Sequence, residues 1–202
     1  MVTLAVLKKY LYPIVFSFIY ITGFSIYYLS IGDWEFLWYV GVMLFFLGLI
    51  VGTVKYTQLS LTAVWGLCFW GFLHMAGGGV KVGEGVLYAY KIWPLLDLGG
   101  EFYILKFDQV VHIFGFAVAT LVMYEVVKSR WQGSIGLLVF IAVLSSMGLG
   151  VINEIVEFLA VVVFADTGVG GYYNTLLDLV FNTVGAIIVG VYLYCRRKAS
   201  ET

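Results

Sequence analysis

The sequence predicts an all-α fold, a polytopic membrane bundle of about six transmembrane helices, with both termini in the cytoplasm. Three observations predict it. Hydrophobic residues make up 62% of the chain and charged residues only 11%, where soluble domains carry about 25% charged residues. Six stretches approach the roughly 20 apolar residues that a helix needs to cross the hydrocarbon core. The basic residues also divide unevenly between the two sides that those stretches define.

The stretches run over 11–31, 36–54, 59–76, 110–127, 135–158 and 176–194. The first follows Lys8 and Lys9, as a signal peptide would. Its apolar run is too long for a signal h-region and no small-x-small cleavage site follows, so it reads as a retained helix. The fifth is long enough to tilt or to project beyond the bilayer. At 202 residues the chain fits a single transmembrane domain, 1–202. Its one long connection is 77–107, placed on the outer face. Tyr88, Tyr90, Trp93 and Pro94 fall there, which suits either a partial lid or an interfacial aromatic belt. Cys68 falls mid-helix and Cys195 at a helix end, so neither a disulfide nor a zinc-finger spacing is expected.

Orientation follows from lysine and arginine. With the N-terminus inside, Lys8, Lys9, Lys55, Lys128, Arg130, Arg196, Arg197 and Lys198 are inner, and Lys81, Lys91 and Lys106 are outer. Of the acids only Glu125 and Glu201 are inner. The remainder, Glu101 and Asp166 among them, lie in outer loops or at outer helix ends. Glu125 is expected to be a solvated helix end beside Lys128.

Polar residues inside a span cost about 2.5–3.5 kcal/mol each on insertion scales, and they mark function by default. Here they share one depth. His74 ends the third helix. Asp108 and His112, four apart and so on one helical face, open the fourth. Asn153, Glu154 and Glu157 lie in the outer part of the fifth, and Asn174, Asp178 and Asn182 open the sixth at spacings of four. Groups at one depth on four helices are expected to converge on one pocket. Four carboxylates cannot all ionise together in a low dielectric. Either protons are shared among them, or a cation is bound. Two imidazoles with carboxylates and no thiolate suit a divalent cation such as zinc or manganese. The candidate metal ligands are His74, His112, Glu154, Glu157 and Asp178; Asn153, Asn174 and Asn182 line the pocket. The competing account is a hydrogen-bonded network of protonated acids and amides that joins the helices.

Two glycine stretches, Gly77-Gly78-Gly79 and Thr167-Gly168-Val169-Gly170-Gly171, have no P-loop or dinucleotide-binding context and are expected to be tight turns. Gly185 and Gly190 are expected at helix packing positions. Ser145 and Ser146 lie too far from the histidines in depth to serve as nucleophiles.

The segments around Asp108 and His112, Asn-Glu154-Ile-Val-Glu157-Phe, and Asn174-Thr-Leu-Leu-Asp178-Leu resemble the YjdF-like family of bacterial and archaeal inner-membrane proteins. The likeness runs from His74 to Gly185. Asn174 stands where the resemblance implies an aspartate, and Gln109 where it implies an arginine. A looser similarity, through Asp108-x-x-x-His112 and Asp178-x-x-x-Asn182, is to VanZ-like proteins linked to glycopeptide resistance. The resemblances imply a multi-pass protein of the cell membrane and leave the reaction open.

Two functions are expected of such a pocket. One is an enzyme acting on a lipid-linked or phosphate-bearing molecule at the outer leaflet. In it His112 or Glu154 would be the general base, with Asp108 orienting His112 and a cation held by the other carboxylates. The other is a non-catalytic, VanZ-like binder of a lipid or envelope ligand. A transporter is a third alternative. Membrane lipids and a lipid-linked small molecule are the expected partners, and nucleic acid is not.

Overall fold

The computed structural model describes residues 4–100, 102–165 and 167–199. Glu101, Asp166 and Glu201 of the charge count lie outside the described residues. Among the described residues, six helices are long and apolar enough to cross a membrane: α1 (Leu4–Ile31), α2 (Trp34–Thr57), α3 (Leu61–Gly79), α4 (Phe107–Lys128), α5 (Ile135–Val163) and α6 (Tyr172–Ala199). Large apolar side chains face outward along them, among them Phe18, Phe45, Phe158 and Ile188. In water these would be an aggregation surface; in a bilayer they are the contact with lipid.

Local chemistry sets the helix ends. Asp33 accepts from Phe36 N at 3.0 Å and starts α2. Ser60 accepts from Ala63 N at 3.1 Å and starts α3, and Ser134 does the same for α5 through Leu137 N at 3.4 Å. Each side chain satisfies a backbone donor that the first turn leaves unpaired. Glu125 is not a freely solvated helix end. Its Oε2 accepts from Ser60 N at 2.8 Å, so α4 supplies a second cap to the start of α3.

The connection between α3 and α4 is built, not loose. It holds a short hairpin, β1 (Lys81–Val82) with β2 (Gly85–Val86), a single 3-10 turn over Leu87–Ala89, and a longer antiparallel hairpin, β3 (Lys91–Gly99) with β4 (Phe102–Lys106). We call this the hairpin end of the bundle. The opposite end holds Leu4 and Ala199, because an even number of crossings returns the chain to its starting side.

Gly77-Gly78-Gly79 is not a turn. These residues are the buried last turn of α3. A side chain at Gly78 would overlap the Phe36 ring, and one at Gly77 the Tyr88 ring. The glycines are there because aromatic rings rest directly on the helix backbone. Phe36 also stacks on Tyr28 with ring centroids 4.9 Å apart, and the Tyr28 hydroxyl donates to the Met75 carbonyl. This aromatic core joins α1, α2 and α3.

α4 is the central helix and packs on α3, α5 and α6. Its approach to α6 is close because Gly185 leaves room for the carbonyl of Ile113. α2 packs at the edge, against α1 and α3.

Candidate functional site

The site begins where β4 becomes α4. Gln109 is fully buried. Its Oε1 accepts from Lys106 N at 3.0 Å and its Nε2 donates to the Tyr103 carbonyl at 2.8 Å, which fastens the hairpin to the first turn of α4. That fixes Asp108, and one turn later His112, at the hairpin end of the helix.

His112 is the hub. Its Nδ1 lies 2.8 Å from Asn182 Oδ1 on α6. With the amide oxygen as acceptor, Nδ1 carries a proton; in the neutral ring Nε2 then keeps the lone pair, the arrangement usual for a metal-binding imidazole. Nε2 faces Asp108 Oδ1 at 3.5 Å and Asp178 Oδ1 at 3.9 Å. Glu154 Oε1 on α5 stands 4.0 Å from Nδ1. Phe116, one turn further along α4, lies nearly parallel to the imidazole with centroids 6.3 Å apart.

The polar groups of α6 support this hub. Lys106 Nζ donates to Asn174 Oδ1 at 2.5 Å, and Asn174 Nδ2 donates to Asp178 Oδ2 at 2.6 Å. One oxygen of Asp178 is thereby held, and the other is turned toward His112. On α5, Asn153 Nδ2 donates to Glu157 Oε1 at 2.9 Å. Among the described residues, four buried side-chain polar atoms have no hydrogen-bond partner: both oxygens of Glu154, Asp178 Oδ1 and Asn182 Nδ2. An unpaired buried polar atom costs about 1–3 kcal/mol, and more when charged. Three such oxygens next to one imidazole therefore need a counterpart.

Among the described residues, two sets of ligand-type atoms lie within 4.8 Å of one another: Asp108, His112 and Asp178; and His112, Glu154 and Glu157. Two donors each about 2.1 Å from a tetrahedral cation stand roughly 3.4 Å apart. The 3.5 and 3.9 Å separations around Nε2 are close to that. The first set fits a cation better, because Nε2 carries the free lone pair while Nδ1 is engaged by Asn182.

His74 joins neither set. It sits among the rings of Phe36, Tyr39, Trp70 and Tyr88, with the Tyr88 hydroxyl 2.5 Å from its Nδ1. Burial, reinforced by the charge of Asp108, raises the Tyr88 phenol well above its ordinary pKa. The phenol is thus the donor and His74 Nδ1 the acceptor. Of the residues singled out in the sequence, Asp108, His112, Glu154, Asp178 and Asn182 meet at the hub, Asn153 and Asn174 support it, Glu157 completes the second set, and His74 stands in the aromatic cage.

Sequence reasoning missed three contributors. Lys106 counted only as an outer loop charge, although it stands two residues before Asp108. Tyr88 counted only as one of several loop aromatics, and nothing in the sequence pairs it with His74, to which the 3-10 turn delivers it. Glu35 is buried at the start of α2; it accepts from Gly168 N at 2.6 Å and from the Tyr39 hydroxyl at 3.2 Å, tying the α5–α6 connection to α2.

Comparison with known proteins adds one match. A family model described as "Predicted membrane protein (DUF2238)" covers residues 10–199. No curated protein and no solved structure matches the chain.

Proposed function

The chain belongs to the DUF2238 family of predicted membrane proteins, and from that premise we propose that it is a divalent-cation-dependent enzyme of the cell membrane. Its substrate is a lipid-linked or phosphate-bearing molecule reached from the outer leaflet. Asp108, His112 through Nε2, and Asp178 hold the cation. The observation that carries the proposal is the group of unpartnered buried carboxylate oxygens around one imidazole whose lone pair faces two of the aspartates.

Zinc or manganese at such a position would supply Lewis-acid polarisation of a phosphoryl or carbonyl oxygen and a more acidic bound water. The chain's own residues do the rest. Glu154 accepts a proton as general base, since neither of its oxygens is engaged. Glu157, held by Asn153, and Asp108 lie at the less buried rim where a substrate would arrive. Asn182 fixes the His112 tautomer.

A second proposal is the non-catalytic, VanZ-like binder. It is favoured by the burial of His112, Glu154 and Asp178, which leaves only the rim groups to meet a ligand. The deciding experiment uses protein purified in mild detergent without chelator. Metal analysis should give about one zinc or manganese per chain, as expected for a single three-ligand site, and His112→Ala and Asp178→Asn should lose it. Phosphate release from a polyprenyl diphosphate in mixed micelles, abolished by Glu154→Gln with metal retained, supports the enzyme. Full metal occupancy with binding and no turnover supports the binder. Equal metal in parent and variants overturns both the cation and its ligand set.

A further inference from the structure

The β3–β4 hairpin carries an exposed apolar patch outside the spans. Every residue of β3 is exposed, and Ile92, Trp93, Leu95, Leu96 and Leu98 each keep at least 40% of their surface open. Isolated exposed hydrophobes mean little; five in one strand mark a surface with a partner.

Two anchors fix how the hairpin lies. At its base, β4 runs into α4 without a break, and Lys91 pairs with Lys106. Near its tip, Phe102 packs edge-on against Tyr173 in the first turn of α6, with centroids 5.8 Å apart. Base and tip thus meet the ends of two different spans. The hairpin lies across the bundle end and does not project from it, at the level where α4 and α6 leave the hydrocarbon.

We propose that this hairpin is a membrane-interface element whose β3 side chains enter the boundary between headgroups and acyl chains. The depth follows from two opposing demands. A two-stranded sheet leaves one edge of backbone N–H and C=O groups unpaired on each strand, and such edges are not tolerated facing hydrocarbon. Five large apolar side chains are unfavourable in water. Only the interface offers water and headgroup oxygens to the backbone together with acyl surface to the side chains. The neighbours agree, since Trp34, Tyr172 and Tyr173 at the same end are all more than half exposed, as an interfacial aromatic belt requires. The hairpin would then hold the mouth of the polar cluster at headgroup level. The placement does not depend on whether a cation binds.

The test is nitroxide labelling of the full chain in vesicles of phosphatidylcholine and phosphatidylglycerol. Labels go at Leu95→Cys and Leu98→Cys in a Cys195→Ser background; Cys68 is buried between α1 and α3. Glu84→Cys on the β1–β2 hairpin is the water-facing reference. Both β3 labels should collide with oxygen severalfold more, relative to a nickel chelate, than the Glu84 label does. A nickel-chelate preference matching Glu84 would place the strand in water. Protection from both reagents would place it against protein, a second copy included. Either result overturns the proposal, and neither bears on metal content.

Discussion

The imidazole of His112 donates through Nδ1 to Asn182 Oδ1 at 2.8 Å, and this one bond decides which of its nitrogens can face Asp108 and Asp178. Asn182 is not a candidate ligand, yet the lone pair on Nε2 depends on it. We therefore expect Asn182→Ala to weaken cation binding by roughly 10–100-fold, the usual effect of removing a ligand's hydrogen-bond partner. Asn182→Asp, which keeps an acceptor, should lose less. Competition with a chelating dye measures both. Unchanged affinity in Asn182→Ala would mean the tautomer is set elsewhere.

Stability should separate a functional site from a structural network. Glu154 has no donor on either oxygen, so Glu154→Gln removes no hydrogen bond. We expect it to cost under about 1 kcal/mol, or to stabilise, as functional sites often trade stability for activity. Leu138→Ala, at a packed position on α5 with 3% exposure, should cost about 2–5 kcal/mol. Reversible unfolding in bicelles compares the two. A larger loss from Glu154→Gln would show that the acid joins helices and that its bonding is the purpose of the cluster.

Gly185→Ala should damage a site it does not touch. The added methyl would meet the Ile113 carbonyl, which is backbone and cannot rotate away. α4 and α6 must then separate, and with them His112 and Asp178. The expected result is lower cation affinity together with lower stability. Gly48→Ala, which meets nothing within 4 Å, is the control and should match the parent. Equal behaviour of the two variants would rule out close α4–α6 approach as the determinant.

Topology can be read with reporter fusions. The basic residues gather at the end opposite the hairpins, so fusions after Lys198 and after Arg130 should report cytoplasm. Insertions between Gly83 and Asp97 should report the exterior. An external C-terminus would reverse the leaflet from which a substrate is reached.

The helices were legible because hydropathy over about 20 residues is a local property. The site was legible in part for the same reason. Asp108 and His112, and Asp178 and Asn182, are one turn apart, and helical spacing alone puts each pair on one face. What stayed hidden depends on contacts between distant segments. The glycines of α3 read as a turn because the rings covering them come from Phe36 and Tyr88, elsewhere in the chain. Glu125 read as solvated because its partner, Ser60 N, is 65 residues away. The hairpins escaped because β3 has no alternation of buried and exposed residues, the pattern by which a strand is recognised.

The hub draws on α4, α5 and α6, and these are made in that order. His112 and Asn182 are 70 residues apart, a delay of roughly 4–14 s at the usual 5–20 residues per second of synthesis. Through that interval His112, joined partway by Glu154, is in or near the bilayer with no sixth helix to meet it. The half-made bundle therefore presents polar groups that the finished one conceals. A chain arrested before α6 would keep His112 without Asn182 and Asp178, its partners on that helix.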